Sequence, residues 1–204
     1  IPKVEADDVI AYLSKSVITH PKDKSFIVSS DKDFLQLVSD NVIVYRPMEK
    51  EYYTSKTVID KYKISPHNFI LHKTLLGDNS DKIKGVKGLG EKGLLKKFPE
   101  LIEKDMNWDD ILNICENKMS DHVIYARIIH GRDDLEKNYK IMDLSNPMLS
   151  KEDKEGLDEV VSSKDLPYYP DQFVSMYNED QIGGLIRNLE FWVKDCFENL
   201  VIKK

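Results

Sequence analysis

The central stretch of this chain, residues 77–92, reads Gly77-Asp-Asn-Ser-Asp81-Lys-Ile-Lys-Gly85-Val-Lys-Gly88-Leu-Gly90-Glu-Lys92. Two acids three residues apart come just before a series of glycines and lysines. Carboxylates are the ligands that hard cations such as Mg²⁺ or Mn²⁺ prefer, and glycines let the backbone approach a phosphate closely. Residues 82–97 contain six lysines and one glutamate, a local net charge of +5 in a chain whose net charge is −6. The stretch predicts a metal site beside a phosphate-binding turn.

Two further acidic clusters precede this stretch. Glu5, Asp7 and Asp8 open an amphipathic helical pattern, and Asp31 and Asp33 follow the apolar run at residues 25–30. That run predicts a buried strand of parallel-sheet type, and open α/β sheets place their sites at the carboxyl ends of strands. The three clusters supply seven acids, as two metal ions about 3.5–4 Å apart would require. Zinc is disfavoured, because no His or Cys lies near these acids at ligand spacing.

Each cluster also has a plainer explanation when it is taken alone. Acids suit the first turn of a helix because of the helix dipole, and Asp31 with Asp33 is compatible with an Asx-turn. Asp78 and Asp81 are compatible with a capped loop, although they follow a predicted helix, where acids are unfavourable without a partner. The glycines are compatible with a flexible turn between two helices. The combination of all four features favours metal and phosphate binding.

Hydrophobic periodicity predicts three regions. Residues 1–54 form an α/β region with strands at 25–30, 41–45 and 52–54. Residues 55–100 form a helical region with the glycine-rich turn, its helices at 57–62, 66–77 and 91–98. Residues 101–204 are mostly helical, with helices at 108–116, 121–129 and 181–200 and a charged connector at 151–169. The predicted fold class is α/β.

Composition narrows the class of protein. No run of about 18 apolar residues predicts a membrane span, and no signal-peptide pattern precedes the first motif. Cys115 and Cys196 lack metal-ligand spacing and predict free thiols in a reducing cytoplasm. The acidic net charge argues against indiscriminate nucleic-acid binding, although one basic hairpin can still bind a phosphate backbone locally. The chain starts at Ile1 and reaches an acidic motif by Glu5, so we expect a fragment of a longer protein.

The order and spacing of these motifs resemble those of the structure-specific 5′-nucleases, which comprise flap endonucleases and the 5′–3′ exonuclease domains of bacterial DNA polymerases. The resemblance rests on the acids at 5–8, on Ser30-Asp31-Lys-Asp33-Phe and on the stretch 77–92. Within the family, the Ser-Ser-Asp-x-Asp-Phe run and the tail are similar to the RNase H of T-even phages. The resemblance implies the C-terminal half of a PIN-like (Rossmann-like) nuclease core, a helix–turn–helix hairpin that binds duplex DNA, and a mostly helical C-terminal region.

The resemblance also implies roles for particular residues. Asp31 and Asp33 would be catalytic. The ligands or near neighbours of two divalent metal ions, Mg²⁺ or Mn²⁺, would be Glu5, Asp7, Asp8, Asp31, Asp33, Asp78 and Asp81. Main-chain carbonyls would hold a monovalent cation such as K⁺ at Leu75, Leu76, Lys84, Val86 and Leu89. Contacts with DNA would come from Gly85, Lys87, Gly88, Leu89, Gly90, Glu91, Lys92, Gly93 and Lys96. This chain departs from many relatives at Lys82, Lys84 and Gly93, where Asn, Pro and Ser or Thr are common.

The implied activity is hydrolysis of phosphodiesters at 5′ ends, nicks or flaps of DNA and of RNA–DNA hybrids, as in primer removal during replication. We expect a monomer in a bacterial or phage-infected cytoplasm, with a single-strand-binding or other replisome protein as partner. The family's first strand with its metal-binding Asp, and its basic arch, would precede residue 1. Two alternatives stay open: a non-catalytic duplex-binding fragment, and a PIN-type ribonuclease acting on single-stranded RNA.

Overall fold

The computed structural model describes residues 4–162, 169–181 and 183–197. The chain divides into two compact units, Ile1–Glu155 and Gly156–Lys204. None of the helices in the described ranges is long and apolar enough to cross a membrane. The first unit contains all of the acids in the three clusters and all of the lysines of the glycine-rich stretch.

A small mixed sheet and its flanking helices form the amino-terminal part of the first unit. Helix α1 (Ala6–Ser16) precedes strand β1 (Ser25–Val28), a 3-10 helix (Asp33–Leu37), strands β2 (Val42–Arg46) and β3 (Glu51–Tyr53), and helix α2 (Ser55–Tyr62). The strand order is β1-β2-β3. β1 pairs with β2 in parallel, from Ser25 opposite Val42 to Val28 opposite Tyr45, and β2 pairs with β3 antiparallel. The three predicted strands and the parallel pairing are confirmed.

The prediction that the first strand is buried is wrong. Only Ile27 of β1 is buried, whereas Phe26 is 55% and Val28 66% exposed. β1 is an edge strand among the described residues, so one of its sides lacks a neighbouring strand there. An apolar run cannot by itself report whether such a neighbour exists.

The glycine-rich stretch lies between two helices of the first unit. Helix α3 (Phe69–Leu76) leads into a short hairpin of β4 (Gly77–Asp78) and β5 (Ile83–Lys84), and helix α4 (Glu91–Lys97) comes next. The remaining helices are α5 (Glu100–Glu103), α6 (Trp108–Asn117), α7 (Val123–His130) and α8 (Arg132–Met142). α8 packs on α3 and α6 packs on α7. The predicted helices around the turn are confirmed, although α3 begins at Phe69 rather than at residue 66.

Local sequence explains several helix starts. Thr54 caps α2 by accepting a hydrogen bond from the Thr57 N–H, and Asn107 forms a capping box with Asp110 at the start of α6. The buried Asn68 amide joins distant segments, since its Nδ2 donates to the Leu101 and Lys104 carbonyls at 2.9 and 2.8 Å. Its Oδ1 also accepts from the Met106 N–H at 2.8 Å. These contacts fix α5 against the start of α3, which supports the helix that carries part of the site.

Two predictions for the carboxyl-terminal region are wrong. The predicted charged connector contains a helix, α9 (Lys151–Ser162), which Ser150 and Asp153 cap reciprocally; residues 163–168 of that prediction lie outside the described ranges. The predicted helix at 181–200 begins only at α11 (Leu189–Phe197), because Gly183 and Asn188 adopt positive φ angles of 78° and 51°. Residues 198–200 are also outside the described ranges. Helix α10 (Pro170–Glu179) was not predicted, and its Phe173 lies 6.3 Å from Trp192 of α11 between ring centroids.

Candidate metal centre and nucleic-acid interface

Three of the predicted acids converge at one point. Asp33 begins the 3-10 helix after β1, Asp78 lies on β4, and Asp81 lies in the turn of the hairpin. One carboxylate oxygen of each lies within 4.8 Å of the others, close enough to hold one metal ion. All three donors are carboxylate oxygens, which suits a hard divalent cation. The structure therefore brings together acids that are up to 48 residues apart in sequence.

Lys73 of α3 is the residue of this centre that the sequence reasoning missed. Its ammonium forms ion pairs with Asp33 and with Asp78, the latter at 2.5 Å. The side chains are only 8%, 14% and 13% exposed, so the three charges lie largely out of water. A lysine inside the apolar helix FILHKTLL was a usable signal, because a buried lysine needs a partner.

Asp78 is held in its charged form by its neighbours. Burial opposes ionisation of its carboxylate, but hydrogen bonds from Lys73 and from the Ser80 hydroxyl and N–H outweigh burial and keep the pKa of Asp78 well below its usual value. The Ser80 hydroxyl and N–H donate to Asp78 Oδ1 at 2.6 and 2.8 Å. Asp78 is thus held as an anion whose counter-charge in this structure is the Lys73 ammonium.

A second group of acids lies next to this centre. Burial, together with repulsion from Asp31, Glu5, Asp8 and Asp81, raises the pKa of Asp7. The acids at the start of α1 therefore lie close enough to those of the other two clusters to act on them electrostatically. Such mutual repulsion is what a bound cation would relieve.

The remaining predicted ligands are placed more loosely. Among the described residues, Glu5, Asp7, Asp8 and Asp31 are not part of the three-carboxylate group. Asp8 accepts a hydrogen bond from the Met148 N–H at 2.9 Å, and Asp31 accepts one from the Asp33 N–H at 2.8 Å. The Asx-turn considered for Asp31 is therefore present, together with the clustering of Asp33.

A cleft of about 520 Å³ opens beside the acids. Asp31, Asp33 and Asp78 line one part of it, and Tyr62 and His72 line another. His72 stacks on Phe69 at 5.5 Å between ring centroids, and burial lowers the pKa of its imidazole. Lys32, Arg46 and Lys73 also line the cleft, so it contains positive as well as negative side chains.

Backbone contacts hold the hairpin that carries Asp78. Gly77 has a positive φ of 82°, and a Cβ on Gly85 would lie 2.2–2.4 Å from backbone atoms of Leu76 and Gly77. The Val86 N–H donates to the Leu75 carbonyl at 2.8 Å. Both glycines are thus required by the close approach of β5 to the end of α3. Lys82, where relatives commonly have Asn, has a positive φ of 59°, a conformation that Asn adopts more readily.

The predicted DNA-contacting residues are mostly accessible. The Lys87, Lys92 and Lys96 side chains are exposed, as are Gly88, Gly90 and Glu91, whereas Gly85 and Gly93 are half-buried. Leu89 is buried, so only its backbone can meet a ligand. The lysines of the basic hairpin, residues 85–96, therefore face solvent next to the acidic cleft.

The carbonyls predicted to hold a monovalent cation already accept hydrogen bonds in part. The Leu75 carbonyl accepts from Val86 N–H, and the Val86 carbonyl accepts from Leu89 N–H at 3.0 Å. The Lys84 carbonyl accepts from Asn138 Nδ2 at 3.4 Å. A carbonyl has a second lone pair that could still bind a cation. These hydrogen bonds therefore neither support nor contradict the predicted cation site, which stays a prediction.

Known proteins resemble this chain in sequence. Residues 1–63 match the family described as 5′-3′ exonuclease, N-terminal resolvase-like domain. The 5′-3′ exonuclease of Aquifex aeolicus is 36% identical over 159 residues, which is 75% of this chain and 50% of that protein. The flap endonuclease Xni of Colwellia psychrerythraea is 39% identical over 87 residues, 43% of this chain and 30% of that protein. This chain thus spans about half the length of the Aquifex relative.

The fold is also similar to solved structures. The bacteriophage T5 flap endonuclease, in a pseudo-enzyme–product complex with DNA and metal ions, matches with a TM-score of 0.64 at 22% identity, over 79% of this chain and 60% of that one. The T5 5′-exonuclease with divalent zinc bound matches with a TM-score of 0.65 over the same shares. The mixed α/β fold, mostly helical, is therefore confirmed by an independent comparison.

Proposed function

We propose, since this chain belongs to the family of flap endonucleases and 5′-3′ exonucleases, that it supplies the metal-binding acids and the duplex-binding hairpin of a metal-dependent 5′-nuclease. The substrate would be a phosphodiester at a 5′ end, nick or flap of DNA or of an RNA–DNA hybrid. One observation carries the proposal. Asp33, Asp78 and Asp81 converge, and the same turn that supplies two of them continues directly into the exposed glycine–lysine hairpin.

The residues fit divalent metal ions. Asp33, Asp78 and Asp81 would hold one ion, and the acids around Asp7 and Asp31 would hold a second, with Mg²⁺ or Mn²⁺ favoured by the all-oxygen donors. Divalent cations in such sites polarise the phosphoryl oxygen and promote the ionisation of water. DNA and metal ions, the partners found in T5 flap endonuclease, are of the same kind as those proposed for this chain.

The chain's own residues would bind and orient the substrate. Exposed Lys87, Lys92 and Lys96 would neutralise duplex phosphates, and Gly88 and Gly90 would let the backbone approach them. Contacts of this kind read the backbone rather than base edges, so binding would be insensitive to sequence. The carboxylates in the cleft are acceptors only and repel phosphate, so cation binding is a condition for the scissile phosphate to approach them.

Other parts of the proposal come from the resemblance. They are a K⁺ ion at the hairpin carbonyls, a PIN-like half-core, a role in primer removal, a phage RNase H-like specificity, a cytoplasmic monomer and a replisome partner for the carboxyl-terminal helices. A comparison of cleavage rates on RNA–DNA and DNA–DNA flaps would test the RNase H-like specificity.

The test is Asp33→Asn, with Asp31→Asn as a second variant, assayed on a labelled 5′-flap duplex with Mg²⁺ or Mn²⁺. We expect cleavage to fall by about 10³-fold or more, because a ligand to the reaction's cations is lost. Duplex binding should stay within about threefold, since the hairpin is unchanged. Asp40→Asn is the matched control, because Asp40 is an exposed acid two residues before β2, at the amino end of the parallel strands, whereas Asp31 and Asp33 follow the carboxyl end of β1.

The outcomes separate the alternatives. Wild-type cleavage rates in both Asp31→Asn and Asp33→Asn would contradict the metal-ligand assignment. If the unaltered chain binds duplex DNA without cleaving it at any metal concentration, the chain is the non-catalytic duplex-binding fragment. Tighter binding of single-stranded RNA than of duplex DNA would instead favour a PIN-type ribonuclease.

A further inference from the structure

Arg127 reaches the hairpin from outside the motif. It lies on α7, and its Nη1 donates to the main-chain carbonyl of Lys87 at 2.7 Å. The residue is otherwise exposed. A guanidinium carries five N–H donors, so this bond leaves donors directed toward solvent beside the turn.

The turn is shaped to receive this side chain. Gly88 comes directly after Lys87 and has a positive φ of 84°, and a Cβ there would lie 3.0 Å from Arg127 Nη1. Any other residue at position 88 would therefore meet the guanidinium as well as backbone strain. The absence of a side chain at Gly88 leaves the guanidinium exposed next to the turn.

The charges around Arg127 are mainly positive. A groove of about 350 Å³ runs between the hairpin and α7–α8, with Lys84 and Lys87 on one side and Arg127 on the other. Its acid, Asp134, is paired with Lys137 at 3.6 Å. Gly85, Gly131, Val86 and Leu135 also line the groove. A groove whose charged side chains are mainly positive fits a phosphodiester backbone.

We propose that Arg127 is a phosphate-contacting residue of the duplex interface, positioned by its hydrogen bond to the Lys87 carbonyl. This inference rests on the proposed duplex binding and extends it to a helix that lies about 35 residues beyond the glycine-rich motif. The guanidinium would contact the same duplex backbone as Lys87, from the opposite side of the groove.

The test compares Arg127→Gln and Arg127→Lys with the unaltered chain in binding to a duplex of about 20 base pairs, in EDTA, as KCl is varied. The slope of log K against log salt is negative, and loss of one phosphate contact reduces its magnitude by about 0.9. We expect this change in Arg127→Gln, with an affinity about three- to tenfold weaker at low salt. Arg127→Lys, which keeps the charge, should keep the slope. Lys22→Gln, an exposed lysine in the turn before β1, is the matched charge control.

Three results would contradict the inference. Arg127→Gln that binds like the unaltered chain would show that Arg127 makes no contact. Equal weakening in Arg127→Gln and Arg127→Lys, with unchanged slopes, would show that Arg127 only positions the hairpin. If the unaltered chain shows no salt-dependent duplex binding, this inference and the duplex-binding part of the proposed function both fail, whereas the first two results contradict this inference alone. Thermal melting of each variant confirms that the fold is kept.

Discussion

The acidic centre and the basic hairpin are adjacent in sequence but are held in place by different physical forces. In the acidic centre, Asp33 and Asp78 come from separate elements and are held together by the buried ammonium of Lys73. The hairpin is held by close contacts between main-chain atoms. There is no room for a Cβ at Gly85, and the Val86 N–H donates a hydrogen bond to a carbonyl at the end of α3. The lysines of the hairpin are exposed and take little part in its packing.

This difference distinguishes charged residues that stabilise the fold from charged residues that are available to bind a ligand. A buried charge without its partner is costly, so Lys73 must contribute to stability while a metal ion is absent. Exposed lysines contribute little to stability, so their clustering at the hairpin is better explained by binding. The comparison leads to predictions for three variants, from the largest effect on folding to the smallest.

Gly85→Ala should destabilise the protein most. The added Cβ would lie 2.2–2.4 Å from backbone atoms of Leu76 and Gly77, and neither segment can move without breaking the β4–β5 pairing. We expect a loss of about 3–5 kcal/mol in the free energy of unfolding, measured by urea denaturation. Gly90→Ala is the control, because nothing lies within 4 Å of a Cβ there, and it should change the free energy by less than about 1 kcal/mol. Similar stabilities for the two variants would contradict this backbone fit.

Lys73→Met should destabilise the protein by about 2–4 kcal/mol in the absence of divalent metal, because two largely buried carboxylates lose their counter-charge. Mg²⁺ or Mn²⁺ should restore more stability to the variant than to the unaltered protein, since a bound cation takes over the role of the ammonium. Thermal melting with and without metal measures both effects. An equal response to metal in both proteins would show that the cation binds elsewhere.

The pH dependence of Lys73→Met checks the cause. The pKa of Asp78 is lowered in the folded state, so its contribution to stability is complete above its unfolded pKa of about 3.9 and is lost as the pH falls through the lower folded value. The stability difference between the two proteins should thus be full above about pH 5 and should shrink as the pH falls toward 2. A difference that does not vary with pH would assign the effect of Lys73 to the packing of its methylene groups.

Much of the local structure could be predicted from the sequence. The strands at 25–30, 41–45 and 52–54 and the helices on both sides of the turn are encoded in hydrophobic periodicity, which is a property of neighbouring residues. The helix α9 was not recognised in this way, because none of its residues is buried and its charged residues outnumber its apolar ones. The exposure of β1 depends on its position in the sheet, which the run itself does not encode.

The site divides in the same way. The resemblance of the motifs predicted seven acids as metal ligands, and three of them, Asp33, Asp78 and Asp81, lie close together in the structure. The interaction of Lys73 with Asp33 spans 40 residues, and that of Arg127 with the Lys87 carbonyl spans another 40. A sequence motif contains neither pair, because the first depends on how α3 packs in the fold and the second on how α7 packs. The structure therefore identifies the residues that contact a motif from distant parts of the sequence.

Lys87→Gln should have the smallest effect on folding and so gives the sharpest contrast with Lys73. The Lys87 side chain is exposed, and the hydrogen bond that Arg127 makes is to its main-chain carbonyl, which the substitution retains. We expect the free energy of unfolding to change by less than about 0.5 kcal/mol, whereas the salt slope of duplex binding should fall by about 0.9. Urea denaturation and binding titrations on the same preparation measure the two quantities. A loss of stability as large as that of Lys73→Met would show that the hairpin lysines are part of the fold, because only a buried or paired charge can affect unfolding to that extent.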